Sequence, residues 1–127
     1  MEMKKLLESF NHAINGIIDA VRTQRNMKIH IVAAIGVLIA CFFFDISKAE
    51  FLSLAITITM VISAELVNTA VEAAVDLNTN YYHPLAKVAK NTAAGAVLVT
   101  AINALLVGYI VFWDKLSNFS YEVVYKI

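Results

Sequence analysis

The chain has 127 residues, 60% of them hydrophobic, with a mean hydropathy of +0.70 and a formal net charge of zero. Soluble domains carry about 45–50% apolar residues, so this composition puts the chain in a membrane, with length for only a few spans. Balanced charge without a basic tract excludes nucleic acid as a natural partner, and the single Cys41, inside an apolar run, excludes an intrachain disulfide.

Taken in order, residues 4–22 predict an amphipathic surface helix. Leu6, Leu7, Phe10, Ile14, Ile17, Ile18 and Val21 recur at steps of three and four, and Lys4, Lys5, Glu8, Asn11, Asn15, Asp19 and Arg22 take the other side. Such a helix lies along the headgroup region of a bilayer. No secretory signal peptide is recognisable in it. A basic stretch with Arg22, Arg25 and Lys28 precedes the first span, residues 29–44, and His30 at its start reads as an interfacial polar residue. Sixteen residues at ~1.5 Å each fall short of a ~30 Å hydrocarbon core, so flanking residues are expected to extend the helix. A short polar break at residues 45–50 then demands an antiparallel hairpin. The second span covers residues 51–75. Residues 78–84 form a loop ending at the sole proline, Pro84, which suits the first turn of a helix. The third span covers residues 92–113, followed by a tail with interfacial aromatics. The expectation is therefore an all-α membrane protein of one domain, residues 1–127, with a surface helix and three transmembrane helices.

Orientation follows from the cations. Lys4, Lys5, Arg22, Arg25, Lys28, Lys87 and Lys90 lie on one side, and Lys48, Lys115 and Lys126 on the other, seven against three. The N-terminus and the 78–91 region are then cytoplasmic and the C-terminus external.

The second span holds what an ordinary span does not. Residues 51–64 carry no charge, yet Glu65-Leu-Val-Asn68-Thr-Ala-Val-Glu72-Ala-Ala-Val-Asp76 places Glu65, Asn68, Thr69, Glu72 and Asp76 on one helical stripe. An ionised carboxylate at membrane depth costs several kcal/mol unless paired, hydrated or bound to a cation, so the stripe marks a site. Across the short loop, Lys87, Lys90 and Asn91 share a face. Carboxylate and amide oxygens suit a hard cation such as Mg²⁺, which keeps several waters and takes phosphate oxygens. Lysine neutralises phosphate, and a further carboxylate can take a hydroxyl proton. No Gly-rich phosphate loop, GxGxxG, HxxEH or CxxC pattern is present. These residue types alone leave base and ligand unassigned among the acids. They also leave two non-enzymatic alternatives: a proton or cation pathway through Glu65, Glu72 and Asp76, or a membrane scaffold joined by interhelical hydrogen bonds.

The stripe, with Tyr82-His83-Pro84-Leu-Ala-Lys87, Ala89-Lys90-Asn91, Ala93-Ala-Gly-Ala-Val-Leu98, Ala13-Ile-Asn-Gly16 and Arg25-Asn26, closely resembles the prokaryotic integral-membrane diacylglycerol kinase and undecaprenol kinase family over residues 5–113. The resemblance implies a homotrimer in the bacterial cytoplasmic membrane, with active sites between subunits at the cytoplasmic interface. There ATP, with Mg²⁺, would phosphorylate the hydroxyl of a membrane lipid. It implies Glu65 as the general base, Glu72 as a metal-binding carboxylate, Asn68 as a nucleotide and metal contact, Lys90 as the grip on the ATP phosphates and Asp76 as a nucleoside contact. Two positions depart from the family. Gln24 stands where many members have a second metal-binding Glu, and Asn91 where many have Asp. Both keep an oxygen donor and lose a charge, so both stay in the candidate set, Gln24 for metal and Asn91 for nucleotide. The Tyr-His-Pro-Leu-Ala-Lys form of the loop points first to undecaprenol as acceptor, with diacylglycerol as the alternative.

Overall fold

The computed structural model describes residues 2–78 and 81–125, with side chains as far as Tyr121. It is all-helical: α1 Glu2–Thr23, α2 Arg25–Phe43, α3 Lys48–Asn78 and α4 Pro84–Tyr125. Lys126, used in the charge count, and the centre of the second loop at 79–80 lie outside the described residues. α2, α3 and α4 are each long and apolar enough to cross a membrane.

One residue separates α1 from α2. Gln24 is extended (φ −93°, ψ 121°), and its N–H still closes the last turn of α1 on the Ala20 carbonyl at 2.9 Å. Its own carbonyl accepts from Lys28 at 3.4 Å, starting the next helix. α2 therefore begins at Arg25 rather than at Ile29, and its 19 residues give about 28 Å of helix, which resolves the shortfall in the sixteen-residue apolar run. α3 has 31 residues and α4 has 42. At ~1.5 Å per residue both outrun a ~30 Å hydrocarbon core, so their ends stand in the interface or beyond. α4 also runs on to Tyr125, where the sequence reading had a tail after residue 113. Phe112, Leu116 and Phe119 keep helical spacing, and no proline or glycine follows Gly108 to stop the helix.

The α2–α3 turn is fastened at the end of the bundle away from the stripe. Ser47 Oγ accepts from the Glu50 N–H at 3.2 Å and Glu50 Oε2 accepts from the Ser47 N–H at 2.8 Å, a reciprocal capping box that satisfies two free donors of the α3 N-terminus. Lys115 of α4 reaches both Glu50, at 3.1 Å, and the Asp45 carbonyl, at 2.7 Å. Phe44 lies edge-on to Phe112 and Phe119 with ring centroids 5.9 and 6.4 Å away. Ser47→Ala is expected to cost about 1 kcal/mol, read as a lower melting temperature in detergent.

α3 and α4 form the most extensive helix pair, with α2 lying against α3 and α1 touching α2 and α3. Ala20 and Met27 are buried where α1 and α2 meet the bundle. Along α3 the buried residues are Leu54, Thr57, Val61, Glu65 and Asn68, spaced three or four apart and so on one face. The polar stripe thus continues the packing seam of α3. Most of the remaining apolar surface, such as Val32, Phe42, Leu105 and Ile110, is exposed, as expected where lipid is the solvent.

Candidate active site

Burial grades along the stripe. Glu65 is 1% exposed and Asn68 5% exposed, Glu72 is half-buried, and the Asp76 side chain is 65% exposed. Eleven residues of helix separate the two ends, about 16 Å, so one line of oxygen donors runs from the protein interior to the interface. The backbone supports it locally. Thr69 Oγ1 donates to the Glu65 carbonyl at 2.8 Å, which keeps this hydroxyl off the carboxylates.

Two clefts lie along this line. The deeper, about 310 Å³, is lined by Glu65, Asn68 and Glu72 from α3, by Asn26, Ile29 and His30 from α2, and by Ala94, Val97, Leu98 and Ala101 from α4. Inside it Asn68 Nδ2 donates to Glu72 Oε1 at 3.1 Å, which turns Asn68 Oδ1 away from Glu72. Glu65 Oε2 and Asn68 Oδ1 are buried with no hydrogen-bond partner. A buried polar atom without a partner costs about 1–3 kcal/mol. Two of them in one cleft indicate a ligand that brings a donor for Glu65 and a cation or donor for Asn68.

The shallower cleft, about 300 Å³, lies at the α3–α4 end and includes Asp76, Lys90, Asn91, Lys87, Tyr82 and His83. Lys90 Nζ meets Asp76 Oδ1 at 2.6 Å. Asp76 sits in the last turns of α3, where the helix dipole disfavours an anion, and Lys90 offsets that. Pro84 begins α4, and His83 Nδ1 accepts the Leu85 N–H at 3.2 Å, so the loop delivers Lys90 two turns into a helix that packs beside α3.

Of the sequence-predicted residues, then, Glu65, Asn68 and Glu72 share the deep cleft and Asp76, Lys90 and Asn91 the shallow one, with the α3 stripe joining the two. Gln24 lines neither cleft. It caps the start of α2 through its backbone, its side chain makes no capping hydrogen bond, and it stands two residues from Asn26, which does line the deep cleft. Asn26 and His30 are the polar residues of the deep cleft that sequence reasoning did not assign to the site. His30 had read as an interfacial residue, and only the packing of α2 on α3 brings it in. Among the described residues, no three His, Cys, Asp or Glu side chains converge as a metal cage. Glu72 and Asn68 fit the sparser set that Mg²⁺ takes beside phosphate, one carboxylate and an amide oxygen with waters completing the shell.

Residues 11–112 match the family model for prokaryotic diacylglycerol kinase. The chain is 44% identical to the undecaprenol kinase of Bacillus subtilis over 115 residues, covering 91% of this chain and 94% of that protein. It is also 44% identical to a diacylglycerol kinase of Synechocystis over 104 residues, 81% of this chain and 59% of that one. To the Escherichia coli diacylglycerol kinase it is 32% identical over 80 residues, 63% and 65% of the two chains. Three apolar helices, a graded line of carboxylates and a lysine at its outer end thus accompany a match over most of the chain: this is a multi-pass membrane lipid kinase, and it belongs to the prokaryotic diacylglycerol kinase family.

Proposed function

We propose that the chain transfers the γ-phosphoryl group of ATP to the hydroxyl of undecaprenol at the cytoplasmic face, with diacylglycerol as the second acceptor to test. The observation that carries the site assignment is the buried, unpartnered Glu65 Oε2 at the inner end of an oxygen stripe whose outer end is ion-paired to Lys90. Similarity over nearly the full length of an undecaprenol kinase supports the first acceptor, and the diacylglycerol kinases support the second.

In this reading the nucleotide lies along the stripe, with its nucleoside near Asp76 and Asn91 and its γ-phosphate toward Glu65. Lys90 neutralises phosphate charge. Glu72 and Asn68 hold Mg²⁺, which when bound stabilises charge on the phosphate oxygens. Gln24, at the junction of α1 and α2, adds an oxygen from a neighbouring subunit. Glu65 takes the proton of the acceptor hydroxyl as its oxygen bonds to the γ-phosphorus, and the bond from that phosphorus to the bridging oxygen breaks to release ADP. Below Glu65 the buried seam continues as Val61, Thr57 and Leu54, none of them titratable, before the Lys115-paired Glu50 at the far end of α3, which favours a kinase over a proton pathway through the membrane.

The same reading has the chain as one domain, with the N-terminus and both clefts on the cytoplasmic side, where ATP is available, and α1 lying on the bilayer. Leu6, Leu7, Phe10 and Ile14 of α1 are all more than half exposed, as suits a helix whose apolar face meets lipid. The assembly is a homotrimer, as the family resemblance implies, and a neighbouring subunit is then what brings Gln24 to a cleft that it does not line in its own subunit.

The test is transfer from γ-labelled ATP by purified protein in mixed micelles with Mg²⁺, undecaprenol and diacylglycerol being offered separately and in competition. Transfer is expected to both, with the higher kcat/KM for undecaprenol naming the acceptor. No transfer from folded, trimeric protein would refute the assignment. Glu72→Gln is expected to raise the Mg²⁺ needed for half-maximal rate at least about tenfold, the loss of one charged ligand among few. An unchanged Mg²⁺ dependence would remove Glu72 from the metal site.

A further inference from the structure

The deep cleft does not end blind. It shares Ile29, His30 and Ala101 with an apolar groove of about 270 Å³ that runs on between α2, α3 and α4 past Val37, Ile58 and Leu105. Among the described residues lining that groove, His30 alone has a polar side chain. His30 therefore stands at the neck, where hydrocarbon surface gives way to the polar cleft, and Glu65 is across from it. The titratable groups that line the deep cleft are His30 from α2 and Glu65 and Glu72 from α3, while α4 lines it with Ala94, Val97, Leu98 and Ala101. A half-buried imidazole on an otherwise apolar wall is costly unless a partner meets it, and among the described residues no side-chain hydrogen bond or ion pair meets it. The partner missing for His30 and the partner missing for Glu65 Oε2 then belong to the same cleft.

We infer that His30 binds the acceptor: at this neck its imidazole N–H donates to the oxygen of the lipid hydroxyl and aims the hydroxyl proton at Glu65, the hydrocarbon next to the hydroxyl lying in the apolar groove. The inference rests on the lipid-kinase reading above and adds a residue that selects and orients the acceptor. A neutral imidazole has one N–H donor. The hydroxyl oxygen has two lone pairs, of which one accepts from His30 while the other attacks phosphorus, and the proton passes to Glu65. His30 gains or loses no proton in the step.

The experiment compares wild type, His30→Leu and His30→Gln as full-length protein in mixed micelles, with KM determined separately for ATP and for the acceptor. His30→Leu keeps the bulk and removes the donor. It is expected to lower kcat/KM for the acceptor at least about tenfold, the worth of one hydrogen bond of ~1.4 kcal/mol, and to leave KM for ATP within about twofold. His30→Gln returns an N–H at similar reach and is expected to recover most of the loss. Wild-type kinetics in His30→Leu overturn the role, as does an equal loss on both substrates that His30→Gln does not rescue, because that pattern marks a residue needed only for packing. If His30→Leu is not recovered folded, His30→Ala carries the same comparison. A wild type inactive on both lipids would instead overturn the parent reading, so the two failures are distinguishable.

Discussion

Glu65→Gln is expected to lower kcat by about 10²- to 10⁴-fold, the range contributed by a positioned general base, while the protein folds and assembles as before. The side chain is 1% exposed and its Oε2 has no partner, so the resting protein holds a carboxyl group that does nothing for its own packing. Replacing it by an amide of the same shape removes the cost of burying charge and leaves the cavity filled. Thermal stability should therefore be equal or higher, and KM for ATP little changed, since the residues assigned to grip the nucleotide, Lys90, Asp76 and Asn91, stand at the outer part of the stripe. Glu65→Asp sharpens the test. It keeps the charge and the proton affinity and retracts the carboxylate by one methylene, and a misplacement of about 1 Å can cost about 10²-fold. If Glu65→Asp and Glu65→Gln both retain wild-type turnover in the micelle assay, Glu65 is not the base.

The second large effect is at Lys90. Lys90→Met is expected to reduce kcat/KM for ATP by about 10²- to 10³-fold, the usual consequence of deleting one donor to a charge-developing oxygen, with both KM and kcat affected. Stability should hardly move. The Lys90–Asp76 pair is short, at 2.6 Å, but both side chains are substantially exposed, 38% and 65%, and such pairs contribute about 0–1 kcal/mol. Lys90→Arg is expected to recover only part of the activity, because a planar fork does not substitute for a compact point charge on the same stem. Activity and melting temperature measured on the same preparations separate the two roles. A loss of activity that tracks a loss of stability would make Lys90 structural.

Much of this was legible before any coordinates. Hydrophobic run lengths are a direct consequence of bilayer thickness, so three spans and the break at residues 45–50 could be read from composition alone. The sole proline began α4, as its missing N–H requires. Helical periodicity likewise put Glu65, Asn68, Glu72 and Asp76 on one face of α3.

Periodicity says which residues share a face and is silent on what that face meets. Only the packing of α3 against α4 made the stripe an extension of the Leu54, Thr57 and Val61 seam, and so decided that Glu65 and Asn68 are buried while Asp76 is exposed. Only the turn into α4 brought Lys90 onto Asp76 across fourteen residues. The boundary of α2 moved because Gln24 could break the helix with its backbone alone, which no propensity of Gln signals. His30 is the sharpest case. In the sequence it is one polar residue at the edge of a span, and its neighbours there are Ile29 and Ile31. Its place opposite Glu65 depends on how α2 rotates as it packs on α3, which is settled by contacts between residues more than thirty positions apart.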